Sequence, residues 1–471
     1  MSQGRVASAL GRLPWAHGMA PLRHRLVEAA LGLAIGFGLS VQPTLTAVAL
    51  VGIGVALLGV AYPAVLVALM FLGMLFDRLG VTGMKVSDFP VTASKLSVIA
   101  SISLWGVRAA ATRSRAVRWH PVLTSMVVVV AVTGICIAAA NSLTLGRFNL
   151  YGLAMMTVLV ALVYAALAEI QLQPLYRFLA LALSAALLAS LWRSGGVGEA
   201  ARASGTMGDP NEWASTVLLL TPFVLGGLAD DPSRLARPLR LALVVLAPLS
   251  ILLSASRAAL LVTLVVGPAS IYLLRRHRGE LAACGITAAV AAPLVVDLDT
   301  ALVRFRLLLA NLQGGAKTPD QSFEERSELL RQGLDLFREH WFIGAGPGRF
   351  ASATGFVSHT GRLRPAHNTY LEIASEQGVV GLLAMGIFVV SVAMALRRAY
   401  LDTRSPRDRN RLLGVAFGLF ALGLMAATLG LLTFSMAYLV LGFGLAVIYQ
   451  AGRPVGGAAT RASNGPHVLG R

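Results

Sequence analysis

The residues best suited to chemistry lie around position 370. His367 and Asn368 stand immediately before an apolar run, and Glu372 and Glu376 follow one and two helical turns farther along the chain. A histidine titrates near neutral pH and can accept a proton from a hydroxyl group. His367 is therefore a candidate general base. A lone histidine in a loop is usually only solvated, so this role requires neighbouring residues that bind a substrate.

Two arginines form a second candidate site. Arg257 occupies a very short turn between two apolar runs, and Arg202 precedes the turn-forming segment Gly205–Asn211. Within that segment Asp209 is a candidate helix N-cap. The planar arginine fork binds phosphate through two hydrogen bonds and stays charged, which suits an anionic ligand. The alternative is that each arginine pairs with a local acid, Asp209 or Glu212, or extends to lipid head groups.

A glycine-rich turn, Ile343–Phe350, is the third candidate, and it contains Arg349. Backbone N–H groups in such a turn can bind phosphate. The spacing departs from a P-loop, because no Gly-Lys-Ser/Thr follows the glycines. Considered alone, the segment therefore favours a tight structural turn over a phosphate-binding loop.

These candidates belong to a chain that is too apolar for a soluble protein. Hydrophobic residues make up 56% of the 471 residues and charged residues only 13%, whereas soluble proteins carry about 25% charged residues. The two cysteines, Cys136 and Cys284, lie in apolar runs without a disulfide or zinc-binding pattern. Composition therefore excludes a soluble enzyme, a disordered chain and a disulfide-stabilised scaffold, and it predicts an all-α polytopic membrane bundle.

Apolar stretches separated by charged and turn-forming residues predict 12–14 transmembrane helices. The predicted spans are 26–40, 45–60, 62–77, 94–111, 121–140, 151–168, 177–192, 212–229, 240–254, 258–274, 280–297, 378–397, 411–430 and 432–449. The first apolar run lacks a clear signal-peptide cleavage site, so we expect it to be an uncleaved span.

The net charge of +18 is carried almost entirely by arginine, since only three of the 40 basic residues are lysine. The arginines fall in short clusters rather than in one dense patch, which argues against nucleic-acid binding. The clusters at 108–118, 234–240, 275–278 and 397–411 share one side in the longest span count, together with both termini. The positive-inside rule makes that side the cytoplasm. Segment 299–376, with nine basic and nine acidic residues, then lies outside.

The predicted organisation has five parts. A cytoplasmic N-terminal tail (1–25) and a transmembrane bundle (26–297) precede a large periplasmic loop (298–376), and C-terminal transmembrane helices (377–450) and a cytoplasmic tail (451–471) follow it. Loops as long as 298–376 are usually functional.

One stretch of this loop has helical periodicity. Leu330, Leu334, Phe337 and Trp341 recur at helical spacing, and charged residues fill the positions between them. The pattern predicts an amphipathic helix over 323–341. Such a helix lies along the outer membrane surface or over a cavity, or equally packs on its own subdomain.

His367-Asn368-x-x-Leu371, followed by six residues and Gly378, resembles the H[N/S]xxLxxxxxxG signature of the bacterial O-antigen ligase family. This family forms a superfamily with O-antigen polymerases and some protein O-oligosaccharyltransferases. Further matches occur in family order at Gly205–Asn211, Ser254–Ala259 and Arg326–Phe350, the last ending in Gly-x-Gly-x-Gly-x-Phe. The resemblance covers roughly residues 200–400.

The resemblance implies a membrane glycosyltransferase of the helical C type (GT-C-like), which uses an undecaprenyl-diphosphate-linked glycan and needs no metal, nucleotide or other cofactor. By motif position, Arg202 and Arg257 would bind the donor diphosphate. His367 would act on the acceptor hydroxyl, either as a general base or as an orienting hydrogen-bond partner. Supporting residues are expected at Asp209, Asn211, Arg349, Asn368, Tyr370 and Glu372.

The leading hypothesis is a glycan ligase or polymerase at the periplasmic face of the bacterial inner membrane, with both termini in the cytoplasm. Its expected partners are the lipid-linked glycan, membrane lipids and an acceptor, which is lipid A–core, a polysaccharide or a protein. The motifs do not separate these acceptors. The alternative is a transporter or flippase that moves polyprenyl-linked glycans or exopolysaccharide without catalysis. Inverted repeats and charges near the bilayer midplane would indicate it, but the sequence shows no convincing repeat.

Overall fold

The computed structural model describes residues 62–76, 93–112, 119–194, 204–207, 209–280, 321–357 and 363–453, with the short stretches 85–86, 89–90, 282, 285–287 and 290. The predicted spans 26–40 and 45–60, most of 280–297, and Arg202 lie outside the described residues. The chain divides into two compact units, one formed by residues 1–66 and 100–116 and the other by residues 67–99 and 117–471. The described candidate site residues all belong to the second unit.

The described residues are mainly helical, which confirms the predicted all-α class. The helices are α1 (Pro63–Leu75), α2 (Ala93–Thr112), α3 (Pro121–Ala139), α4 (Leu143–Leu167), α5 (Gln173–Ser194), α6 (Pro210–Leu228), α7 (Ala236–Ser254), α8 (Arg257–Leu273), α9 (Gln321–Glu339), α10 (Phe350–Thr354), α11 (Thr369–Asp402), α12 (Pro406–Met425) and α13 (Ser435–Ala451). Two short antiparallel strands, β1 (Lys85–Val86) and β2 (Phe89–Pro90), pair with each other.

Five of the described helices, α3, α4, α5, α7 and α11, are long and apolar enough to cross a membrane. Helix α8 and the helical segment after it are bent by 76° and would add a sixth span if counted together. The protein is therefore a multi-pass membrane protein, as predicted. The larger number of spans expected from the sequence stays a prediction.

Side-chain caps fix the starts of α6 and α11. The carboxylate of Asp209 accepts hydrogen bonds from the backbone N–H groups of Asn211 (2.7 Å) and Glu212 (3.0 Å) at the start of α6, as predicted. The amide oxygen of Asn368 does the same for α11, accepting from the N–H groups two and three residues farther on (3.0 and 3.1 Å). These caps hold the residues that precede α6 and α11 at the N-termini of the two helices.

Helix α6 is enclosed along most of its length. Nearly every residue of the range 213–228 is buried, and α6 packs along α12. Small residues allow this close approach, because a Cβ atom on Gly226 or Gly414 would meet backbone atoms of the opposite helix. The Asp209 cap is therefore mounted on a tightly packed helix.

Two acidic residues beyond the C-terminal end of α6 accept hydrogen bonds from basic and amide side chains. Arg177 donates two hydrogen bonds to Asp231, at 2.7 and 2.8 Å. Arg276 donates to Asp230 at 2.9 Å, and Asn410 donates to the same carboxylate at 2.6 Å. Arg276 and Asn410 come from the arginine-rich segments 275–278 and 397–411, which the sequence predicts to share one side of the membrane. Their convergence agrees with a shared side, while the orientation itself stays a prediction.

Helix α9 coincides with the predicted amphipathic helix, but its buried side differs from the predicted stripe. Leu329 and Leu336 pack in a cluster with residues of α10 and α11. Leu330, Leu334 and Trp341, whose spacing predicted the helix, are exposed. The helix therefore has one apolar face buried against the protein and a second one open.

Helix α11 begins at Thr369, inside the stretch assigned from the sequence to the loop 298–376. The Asn368 cap allows helix to form eight residues earlier than the predicted boundary. Gly378 interrupts the helix with φ 64° and ψ −159°. The first turns of α11 therefore precede this break, and the long apolar part follows it.

Candidate functional site

His367 lies directly before the Asn368 cap of α11 and is half-buried. Its φ of 48° places it in the left-handed region, which non-glycine residues seldom occupy. Such conformations persist only where the surrounding structure holds them, and they concentrate at functional sites. The backbone of His367 is therefore held in place at the N-terminus of α11.

Charged residues from three other segments lie within electrostatic reach of His367. Burial lowers the pKa of His367 below its ordinary value, and the positive charges of Arg326 and Arg364 lower it further. Asp209 and Glu325 act in the opposite direction without reversing the shift. The imidazole is therefore neutral at pH 7 and able to accept a proton.

The structure thus brings the cap of α6 and the start of α9 to the predicted histidine. Asp209 comes from α6, and Glu325 and Arg326 come from the first turns of α9. Arg364 lies 3.7 Å from the carboxylate of Glu325. Its Nε atom is buried and makes no hydrogen bond among the described residues. A polar N–H in this state is a candidate donor to an incoming ligand.

Of the two arginines predicted to bind a diphosphate, the structure describes only Arg257. Arg202 lies outside the described residues. Arg257 is the first residue of α8 and is partly buried. Helix α8 packs against α6 and α12, so Arg257 belongs to the same group of helices as the Asp209 cap.

The glycine-rich turn is a structural turn, and the phosphate-binding interpretation of it is wrong. The carboxylate of Glu376 accepts hydrogen bonds from the N–H groups of Gly348 (2.7 Å) and Phe350 (2.9 Å). The N–H groups of Ala345 and Gly346 donate to backbone carbonyls of α11, both at 2.9 Å. The N–H groups of Gly344 and Arg349 also have backbone acceptors, so every backbone N–H from Gly344 to Phe350 is already bonded within the protein.

The contact between this turn and α11 depends on two glycines. The N–H groups of Val379 and Val380 donate to the carbonyls of Trp341 and Phe342 just past the Gly378 break. Gly344 and Gly378 both have positive φ, and a Cβ on either would meet the opposing backbone. The turn and the break in α11 therefore form one rigid junction.

Two of the supporting residues, Tyr370 and Arg349, donate hydrogen bonds to residues distant along the chain. Tyr370 donates from its hydroxyl to the carbonyl of Gly423 at 2.7 Å, so it holds α11 to α12. Arg349 donates to the carbonyl of Ala140 at 3.1 Å. It also lines an open cavity of about 500 Å³ together with His340.

Thr369 ties the start of α11 to the connection between α12 and α13. Its hydroxyl donates to the carbonyl of Leu429 at 2.7 Å and accepts from the N–H of Leu431 at 2.8 Å. The Glu372 carboxylate lies beside the Cα of Gly430 in the same connection, where an added Cβ would be 3.3 Å from its oxygen. The segment 426–434 is therefore positioned by the residues that follow His367.

Sequence reasoning missed several members of this site. Arg364 and Glu325 were not selected, and Arg326 was used only as the start of a matching segment. Arg364 could have been found from its place three residues before His367. The role of Glu376 as the anchor of the glycine-rich turn had no sequence signal, because it depends on a contact between distant residues.

The described fold and site define an all-α, multi-pass membrane protein with a polar site where α11 begins. Residues 242–386 match the model of a protein family described as O-antigen ligase. The match includes Arg257, Arg326, Arg364 and the whole segment from His367 to Gly378, and it supports membership of the O-antigen ligase and polymerase superfamily. No curated protein matched the chain significantly.

Proposed function

We propose that this protein is a membrane glycosyltransferase that moves a glycan from an undecaprenyl-diphosphate-linked donor to an acceptor hydroxyl on the periplasmic face. The family match supports a glycan ligase or polymerase in general. The observation that carries the specific proposal is the left-handed backbone of His367, whose pKa is lowered by burial and by the positive charges of Arg326 and Arg364. A base and positive charge in one place suit transfer from a diphosphate ester.

The chemical step requires one bond to form and one to break. The acceptor oxygen attacks the anomeric carbon of the donor sugar, and the bond from that carbon to the diphosphate oxygen breaks. The diphosphate leaves with the electron pair, and the hydroxyl proton passes to the imidazole of His367. The products are the joined glycan and undecaprenyl diphosphate.

Arginines would stabilise the departing diphosphate. Arg257 and Arg202 are the proposed ligands, because the guanidinium group stays charged and binds phosphate oxygens in pairs. Arg326 and Arg364 add positive potential near the histidine. In this proposal the arginines supply the charge stabilisation, and no metal or other cofactor is required.

The acceptor is lipid A–core, a growing polysaccharide or a protein hydroxyl. The outer segment 299–376 carries equal numbers of acidic and basic residues, so its net charge favours none of them. The glycan product lost on deletion of the gene would identify the acceptor.

The proposal is tested in a strain that lacks its own copy of this gene. We expect His367→Ala, Arg202→Ala and Arg257→Ala each to insert in the membrane at the wild-type level and to lower glycan transfer by about 100-fold or more. Arg338→Ala is the matched control, because Arg338 is exposed and pairs with Asp335 at 2.7 Å on the surface of α9. Full transfer by all three site variants would overturn the assignment.

A further inference from the structure

A narrow crevice of about 190 Å³ lies between the start of α6 and the start of α13. Its walls combine the apolar side chains of Met207, Phe434 and Met436 with the polar side chains of Glu212, Thr433 and Ser435. At about 30 Å³ per water molecule, the space corresponds to about six waters. It therefore suits a small compact group such as a single sugar ring.

We propose that this crevice binds one sugar ring of a glycan substrate, an inference that rests on the proposed glycan transfer. Residues of both walls of the crevice lie close along the chain to groups that contact or influence the His367 region. Asp209, which lies within electrostatic reach of His367, is three residues before the Glu212 wall. Thr369, two residues after His367, holds the connection 426–434 through Leu429 and Leu431.

A fourth acidic or hydroxyl-bearing side chain reaches the same place from α11. The Glu372 carboxylate lies against Gly430, which lines the crevice. Among the described residues, the side chains of Glu372, Thr433 and Ser435 make no hydrogen bond or ion pair. Polar groups that a ligand will enclose need partners of their own. A sugar hydroxyl can donate a hydrogen bond to a carboxylate, and it can also accept one from a threonine or serine hydroxyl.

Other parts of the donor fit the crevice less well. A phosphate group offers hydrogen-bond acceptors but no donor, so it would leave the carboxylate of Glu372 without a partner. A polyprenyl chain would leave the Glu372 carboxylate and the two hydroxyls without partners, at a cost in binding free energy. A sugar ring offers hydroxyls to the polar wall and its C–H face to Met207 and Phe434.

The ring can come from the donor glycan or from the acceptor, and steady-state kinetics separates the two sources. Purified protein in liposomes is assayed for transfer while one substrate is varied at a time. We expect Ser435→Leu, which fills the crevice, and Glu372→Gln, which replaces a carboxylate oxygen by an amide group, to raise the KM for one substrate about tenfold or more. The kcat is expected to change much less. The substrate whose KM rises supplies the ring.

Ala427→Leu is the matched control, because Ala427 is an exposed residue of the same connection outside the crevice. It should leave both KM values unchanged. If the Ser435→Leu protein fails to insert, the Thr433→Val protein is compared instead, because this substitution removes a hydroxyl with little change of shape. Unchanged KM values for both substrates, or a fall in kcat alone, would overturn the sugar-binding assignment.

A binding measurement separates failure of this inference from failure of the proposed function. The probe is the free glycan hydrolysed from the strain's own lipid-linked donor or from its acceptor, each titrated against wild-type and Ser435→Leu protein. Saturable binding that is weakened about tenfold by the substitution supports the crevice even if no transfer is observed. Equal binding by both proteins, or none by wild type, contradicts it.

Discussion

His367 combines a constrained backbone with an environment that disfavours its charged form. The left-handed φ and the Asn368 cap place the side chain, and burial with Arg326 and Arg364 lowers its pKa. A general base must be unprotonated at the working pH and is most effective when its pKa lies close to that pH. At the residue scale, the site is therefore set for proton acceptance at neutral pH.

This electrostatic arrangement predicts the pH dependence of catalysis. Because burial and two nearby arginines lower the pKa of His367 below its ordinary value, we expect kcat/KM to be level around pH 7 and to fall only at lower pH, as the imidazole becomes protonated. Arg364→Gln removes a positive charge, so the pKa should rise and the acidic limb should move to higher pH. Asp209 and Glu325 keep raising the pKa in this variant, in the same direction.

The comparison variant is Arg338→Gln, whose charge lies on the exposed surface of α9. Its pH–rate profile should match that of the wild type. An acidic limb at or above pH 6.5 in the wild type, or one that Arg364→Gln leaves in place, would show that protonation of His367 does not control the reaction.

Helix α9 joins the site to the outer surface of the protein. Its packed face, through Leu329 and Leu336, contacts the residues around α10 and α11. Its open face carries Leu330 and Leu334. Trp341 and Phe342, also exposed, follow at the junction with the Gly378 break. Aromatic residues concentrate at membrane–water interfaces, so this face suits contact with lipid head groups and the outermost acyl chains.

The open face of α9 predicts a labelling pattern. In a background with Cys136 and Cys284 replaced by alanine, Leu334→Cys carries an environment-sensitive fluorophore, and the protein is placed in lipid nanodiscs. We expect a blue-shifted emission and quenching by lipids brominated near the head group, because the label would enter the interface. Ser327→Cys, on an exposed polar position of the same helix, should show neither effect. Equal quenching at both positions, or at neither, would contradict interfacial contact.

Sequence reasoning predicted the elements better than their mutual contacts. The apolar runs, the Asp209 cap and the helix at α9 follow from local composition and spacing. The role of Glu376, the electrostatic reach of Arg364 and the burial of Leu329 in place of Leu330 depend on residues distant along the chain. A local pattern does not specify such pairings. The sequence alone therefore leaves the glycine-rich turn open to two interpretations, a phosphate-binding loop and a structural turn.

Across the whole molecule, α6 separates two chemically different ends. Its 19 residues span about 28 Å at 1.5 Å per residue, close to the thickness of a bilayer hydrocarbon core of about 30 Å. Asp209 lies within electrostatic reach of His367 at the N-terminal end, and Asp230 accepts hydrogen bonds from Arg276 and Asn410 beyond the C-terminal end. If the arginine-rich end is cytoplasmic, as the positive-inside rule predicts, the candidate site faces the periplasm.

We propose that this protein makes a glycosidic bond at the expense of a lipid diphosphate ester. The most direct test uses purified wild-type protein in liposomes with an undecaprenyl-diphosphate-linked glycan and an acceptor. We predict joined glycan and undecaprenyl diphosphate in equal amounts, and neither product from His367→Ala protein. Movement of intact donor across the bilayer without cleavage, or equal product from the variant, would contradict the account.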